Sequence, residues 1–160
     1  MKLHYDGPDV ILGLDLGNQW GWAVVDHRGV YKCSGHRSLG SYEEGPQAHK
    51  LSMAIADLID EYHATALWIE KPVSRHYGAQ RRLFGYATIA AVVAHLHQID
   101  YGEINRSAAY LAVVGKGNAP KLDGVLFGRR YKPLLNSDDE GDAILVALAA
   151  HKLRERQEAA

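Results

Sequence analysis

Apolar positions along the chain first cluster in short blocks. Val10-Ile11-Leu12-Gly13-Leu14-Asp15-Leu16 is a brief run rich in strand formers, and a second run over residues 20–25 follows after only Gly17, Asn18 and Gln19. Short runs of this kind predict buried strands. Asp26-His27-Arg28-Gly29 carries turn residues, and residues 30–35 resume the extended pattern. Successive strands joined by tight turns predict an antiparallel meander. The period then changes: Leu51, Ile55, Leu58, Ile59 and Tyr62 recur at three- and four-residue steps, predicting an amphipathic helix over about residues 46–63. Residues 65–70 read as a strand halted by Pro72. Residues 83–96 are apolar on more than one face, which predicts a helix buried against two surfaces at once. A short strand holds Ile104, and short helices are predicted over 108–114 and 122–127 around Gly115-Lys116-Gly117. The last helix starts at about Ser137, a suitable N-cap ahead of acidic residues, and ends near Arg154 with basic residues in its final turns.

At 160 residues with no linker or repeat, this order of elements predicts one α/β domain over residues 1–160. The single cysteine, Cys33, excludes an internal disulfide and a cysteine-rich zinc site, and points to a reducing cytoplasm. A polar start, Met1 to Asp6, predicts no signal peptide, and no apolar run approaches the ~18 residues of a membrane span. A net charge of −1 means that any nucleic acid must be met by a local basic patch.

Acidic residues stand where their neighbours argue against them. Asp15 sits inside the most apolar strand, and Glu70 ends the strand Leu67-Trp68-Ile69; aspartate is depleted in strands, and burying a charge costs several kcal/mol unless it is compensated. Taken singly, each has a plain alternative: a turn at a strand end for Asp15, a salt bridge for Glu70. Asp139 and Asp142, three apart on the final helix, share a face, and Asp142 is followed at once by Ala143, Ile144, Leu145 and Val146. Here the alternative is acidic stabilisation of a helix start, worth ~0.3–1 kcal/mol. Carboxylates from two strand ends and one helix start, with no His or Cys among them, form the oxygen-only set that suits a hard divalent cation.

These residues resemble a known family. Ile11-Leu12-Gly13-Leu14-Asp15-Leu16-Gly17 followed by Gly21-Trp22-Ala23-Val24-Val25-Asp26 is similar to the opening of RuvC-type Holliday junction resolvases. Ile69-Glu70-Lys71-Pro72 resembles their second acidic motif. Residues 113–121, ending in Lys121, resemble their glycine-rich basic segment, and Asp139-Glu140-Gly141-Asp142-Ala143 resembles their closing pair of acids. The short length and the wording of that last motif look closer to the bacteriophage branch. The resemblance implies an RNase H-like fold, a mixed five-stranded sheet of three antiparallel strands then two parallel ones, flanked by helices. It also implies a homodimer that cuts four-way DNA junctions and other branched DNA, leaving a 5′ phosphate, with Asp15, Glu70, Asp139 and Asp142 holding two Mg2+ ions that Mn2+ can replace. Lys121, at the end of the basic segment, is implied in catalysis or phosphate positioning. Two positions depart from the bacterial pattern: Val73 stands where an aromatic residue is common, and Tyr110 where a lysine is common. The alternative they raise is a catalytically silent junction-binding module, against which the presence of all four acids argues.

Basic residues supply the DNA candidates. Arg75, Tyr77, Arg81 and Arg82 follow Glu70, and Lys116, Lys121, Arg129 and Arg130, with Lys132 beside them, follow the glycine loop; basic side chains among aromatics suit backbone neutralisation and stacking. Phe84 and Tyr86 are expected in the core. Leu83, Tyr86, Ile89 and Val93 are expected to include the face that meets a second copy of the chain, because symmetric incision needs two sites related by a two-fold axis.

Overall fold

The computed structural model describes residues 8–40, 43–73, 76–115 and 122–160. Strands β1 (Ile11–Asp15), β2 (Gln19–Val25) and β3 (Tyr31–Ser38) form the predicted antiparallel meander. Its second turn closes on Asp26, whose Oδ1 accepts the backbone N–H groups of Arg28 and Val30, each at 3.0 Å. Next come α1 (Glu44–Tyr62), β4 (Ala66–Glu70), α2 (Tyr77–Leu96) and β5 (Asp100–Ile104). β4 lies parallel to β1 and β5 parallel to β4, giving a five-stranded sheet ordered β3-β2-β1-β4-β5. The chain closes with α3 (Arg106–Val113), α4 (Leu122–Gly128) and α5 (Asp138–Glu158). The mixed sheet agrees with the expected architecture.

The side-chain alternation of the strands sorts the helices into two layers. Leu12, Leu14, Leu67 and Ile69 point to one face and pack with α1 and α2 residues such as Leu51, Ile55, Ala90 and Val93. The opposite face carries α5, with α3 and α4 outside it. From Glu140 to His151 every residue of α5 is buried, so no amphipathic period shows there; a helix enclosed by a sheet on one side and helices on the other has no polar face to keep. Close approach of this helix needs glycine in the strands. A Cβ at Gly13 would stand 2.6–2.7 Å from the backbone N of Ala147 and the carbonyl O of Ala143, and one at Gly21 would overlap the backbone of Asp139.

Three expectations change. Helix α2 begins at Tyr77 and not near residue 83, because Gly78, Arg81 and Arg82 hide the apolar period in its exposed first turns. Arg81 and Arg82 therefore ride on a helix. Phe84, expected in the core, is 48% exposed, whereas Tyr86 is buried and its hydroxyl donates to Gln47 Oε1 at 2.9 Å. Tyr86 and Val93 belong to the chain's own core, and Leu83 and Ile89 pack against it. The apolar side chains that α2 leaves outward are Phe84, Val92 and Leu96. Among the described residues no helix is long and apolar enough to cross a membrane.

Candidate metal centre

Parallel pairing of β1 with β4 sets Leu14 beside Ile69 and thus brings the next residues, Asp15 and Glu70, to the same end of adjacent strands. Both stand in the alternation that faces α5, opposite to Leu14 and Ile69. The first turns of α5 arrive over this edge, seated by the bare backbone at Gly13 and Gly21. Ser137 caps the helix, its Oγ accepting the Glu140 N–H at 3.3 Å. As a result one carboxylate oxygen each of Asp15, Glu70 and Asp142 lies within 4.8 Å of the others. Asp139 lines the same cavity, of about 190 Å³, together with Lys71, Val73 and Arg106.

Charges at this spacing repel by about 3 kcal/mol per pair at an effective dielectric of 20. Burial, first, and then the charges of Glu70, Asp142 and Asp139 push the Asp15 carboxyl well above its ordinary value, with Arg106 opposing. Asp142 is 1% exposed. An oxygen-only donor trio whose members cannot comfortably ionise together fits a hard divalent cation, which would neutralise the cluster and accept waters or phosphate in its remaining positions.

Arg106 was not among the residues singled out from sequence. It opens α3, and its Nη1 donates to Asp142 Oδ2 while its guanidinium lies 5.3 Å from the centre of the Tyr110 ring. Burial acts to lower its proton affinity, but Asp142 and Glu70 outweigh that and hold it above its usual value. A signal was present: a cation on the first residue of a helix opposes the macrodipole, the same kind of local misfit that marks Asp15 and Glu70.

Glu140, beside Asp139 in sequence, points elsewhere. It is 1% exposed, and its carboxylate accepts from Ser34 Oγ at 2.6 Å, Lys132 Nζ at 2.7 Å and His36 Nδ1 at 3.2 Å. This clamp fastens β3 and the segment after α4 to the start of α5, and it removes Lys132 from the basic cluster. Burial alone would raise the Glu140 carboxyl, but the Lys132, Ser34 and His36 bonds outweigh it and lower it below 4.5. Stability from a carboxyl depressed in the folded state is present above the ordinary value and is lost as pH falls through the depressed one. Glu140→Gln is therefore expected to cost about 2 kcal/mol near neutral pH, in line with hydrogen bonds to a charged group. Urea midpoints of the two proteins should converge as the pH drops below 4.5; a gap that stays constant with pH would contradict this role.

The DNA candidates divide. Tyr77 is 83% exposed, Arg82 is exposed, and Arg81 pairs with Glu44 at 3.4 Å on the surface. All three lie at the start of α2, after Pro72 and the 78%-exposed Val73, which lines the cavity. Arg129 and Arg130 are exposed beyond α4, where Arg129 Nε donates to the Leu135 carbonyl at 3.0 Å and Arg130 stacks on Phe127. Arg75, Lys116 and Lys121 lie outside the described residues.

No family model matches the chain. By sequence it is 29% identical over 146 residues to the crossover junction endodeoxyribonuclease RuvC of Granulibacter bethesdensis, covering 86% of this chain and 82% of that protein. Its fold matches that of Thermus thermophilus RuvC in complex with a Holliday junction substrate, at a TM-score of 0.78 and 16% identity over 92% of this chain and 96% of that one. It also matches the yeast mitochondrial Holliday junction resolvase Ydc2, at a TM-score of 0.69 and 10% identity, over 93% of this chain and 80% of that one.

Proposed function

We propose that this chain, RuvC-like in sequence and in fold, is a metal-dependent crossover junction endodeoxyribonuclease that resolves four-way junctions and acts on other branched DNA. The meeting of Asp15, Glu70 and Asp142 within 4.8 Å carries the reading, in a chain whose sequence relatives are named crossover junction endodeoxyribonucleases. Asp15, with an oxygen within 4.8 Å of both Glu70 on the neighbouring strand and Asp142 on α5, would be shared by two ions. Glu70 would hold one of them and Asp142, aided by Asp139, the other. When bound, two Mg2+ ions, or Mn2+ in their place, supply the charge that activates the attacking water and stabilises the leaving 3′ oxygen, so that a 5′ phosphate remains.

The chain's own residues do the rest. The cavity walls of Leu16, Ile69 and Ala87 keep one side of the site apolar, which strengthens electrostatic interactions inside it. Tyr77, Arg81 and Arg82 on α2, with Arg75 before them, would neutralise and stack on one arm of the DNA. Arg129 and Arg130 would meet backbone phosphates on another side. Lys116 and Lys121, outside the described residues, are assigned by the resemblance of their segment to DNA contact, and Lys121 also to catalysis or phosphate positioning. Two such sites related by a two-fold axis suit paired incision, and the outward Phe84, Val92 and Leu96 of α2 are the surface proposed to join two copies. The bacteriophage kinship rests on the residue 139–143 motif, and would place the protein in the cytoplasm of a bacterial host.

Cleavage of four-way, flapped and linear DNA under Mg2+, Ca2+ and chelator tests the reading. Paired nicks in the junction with Mg2+, none with chelator, and binding without cutting in Ca2+, whose looser shell aligns the reacting oxygens poorly, are expected. Junction binding with no Mg2+-dependent cutting of any branched substrate would overturn it in favour of a silent binding module.

A further inference from the structure

Arg106 places a positive charge inside a cluster otherwise built to hold cations. Its side chain is about a quarter exposed and lines the cavity, and it pairs with Asp142, whose side chain is 1% exposed. The engagement is one-sided. Only Nη1 reaches the carboxylate, while Nη2 is buried with no hydrogen-bond partner among the described residues. A permanent structural arginine on a carboxylate tends to use both nitrogens of its fork, and a buried donor left unmade costs free energy. The remaining support comes from the Tyr110 ring one helical turn along the same face of α3. The guanidinium is thus held by charge and by stacking, without a complete hydrogen-bonding fit.

We propose that Arg106 is a built-in counter-cation that competes with a divalent ion for Asp142, keeping the acid cluster assembled before metal arrives and giving way when it does. The inference rests on the metal-centre reading above. The guanidinium is bonded to Asp142 Oδ2, so a divalent ion held by the same carboxylate would sit beside it, like charge against like. The metal-free protein gains folding stability from Arg106, and metal affinity is lower than the carboxylates alone would provide. Arg106 acts through Asp142 and is a positioning residue in this scheme.

Calorimetric Mn2+ titration and thermal unfolding of the wild type, Arg106→Gln and Arg106→Lys, all without DNA, separate the possibilities. Arg106→Gln is expected to unfold at a lower temperature without metal and to bind Mn2+ about tenfold more tightly, within the usual range of coupling between sites. Its gain in melting temperature on adding Mn2+ should exceed that of the wild type. Arg106→Lys keeps the charge and should stay near the wild type in Mn2+ affinity. Should Arg106→Gln not fold without metal, its recovery at Mn2+ concentrations below those that saturate the wild type supports the same conclusion. Weaker or unchanged Mn2+ binding by Arg106→Gln would overturn the competition and leave Arg106 as a plain scaffold for Asp142. A wild type that binds no Mn2+ would overturn the metal-centre reading itself, and this inference with it.

Discussion

Asp15→Asn is expected to abolish Mg2+-dependent junction cutting while raising the melting temperature of the metal-free protein. Loss of the Asp15 carboxylate removes one of the three oxygen donors that meet within 4.8 Å. Metal-borne charge stabilisation is worth several kcal/mol, so turnover should fall on the order of 10³-fold or more. Stability should move the other way. The Asp15 carboxyl is pushed up by burial and then by Glu70, Asp142 and Asp139. A carboxyl raised in the folded state costs stability at high pH, and that cost disappears as pH falls through the raised value. The wild type without metal should therefore gain on Asp15→Asn as pH falls from neutral, and the difference between the two proteins should narrow. Junction affinity should hold, since one negative charge facing the phosphates is removed. A variant that still cuts at the wild-type rate would sink the metal-centre assignment, and one that melts lower without metal would contradict the electrostatic account.

Gly21→Ala carries the second large effect, at a position with no ionisable group. A methyl there would overlap the Asp139 backbone where α5 crosses β2. Overpacking of this kind typically costs ~1–3 kcal/mol, and each kcal/mol lowers the melting temperature by about 2–4 °C for a chain of this size. Because the strain falls on the first turn of α5, Asp139 and Asp142 should shift away from Asp15 and Glu70. Mn2+ affinity should then fall together with stability. Gly45→Ala in α1 is the matched control, since nothing lies within 4 Å of a Cβ there. It should leave Mn2+ binding intact and, inside a helix, hold or raise stability. Equal effects of the two substitutions would show that the seat of α5 on the sheet does not govern the site.

The order of strands and helices, and the acids that break it, were legible from the chain alone. Short apolar runs and a turn at Asp26 define the meander, and three- and four-residue steps define α1, because local backbone geometry and burial act within a few residues of each position. Asp15 and Glu70 declared themselves for the same reason, as acids at apolar strands, and Asp142 by the apolar run that follows it at once. Their meeting depends on a parallel pairing between strands more than fifty residues apart and on two glycines that let α5 descend, and no local pattern encodes a distance between segments. The same limit accounts for Glu140 and Arg106. In the chain Glu140 is one more acid at a helix start, yet its direction round the helix sends it to Ser34, His36 and Lys132. Arg106 is marked in the chain only as a cation at a helix start, and the packing of α3 on α5 is what turns it toward Asp142. The outward face of α2 was likewise settled by what covers it. Tyr86 and Val93 are claimed by the core of their own chain, and Phe84, Val92 and Leu96 remain outside. A sequence records which residues are apolar or charged, whereas which of them face one another is decided by long-range contacts whose geometry arises only when the layers close.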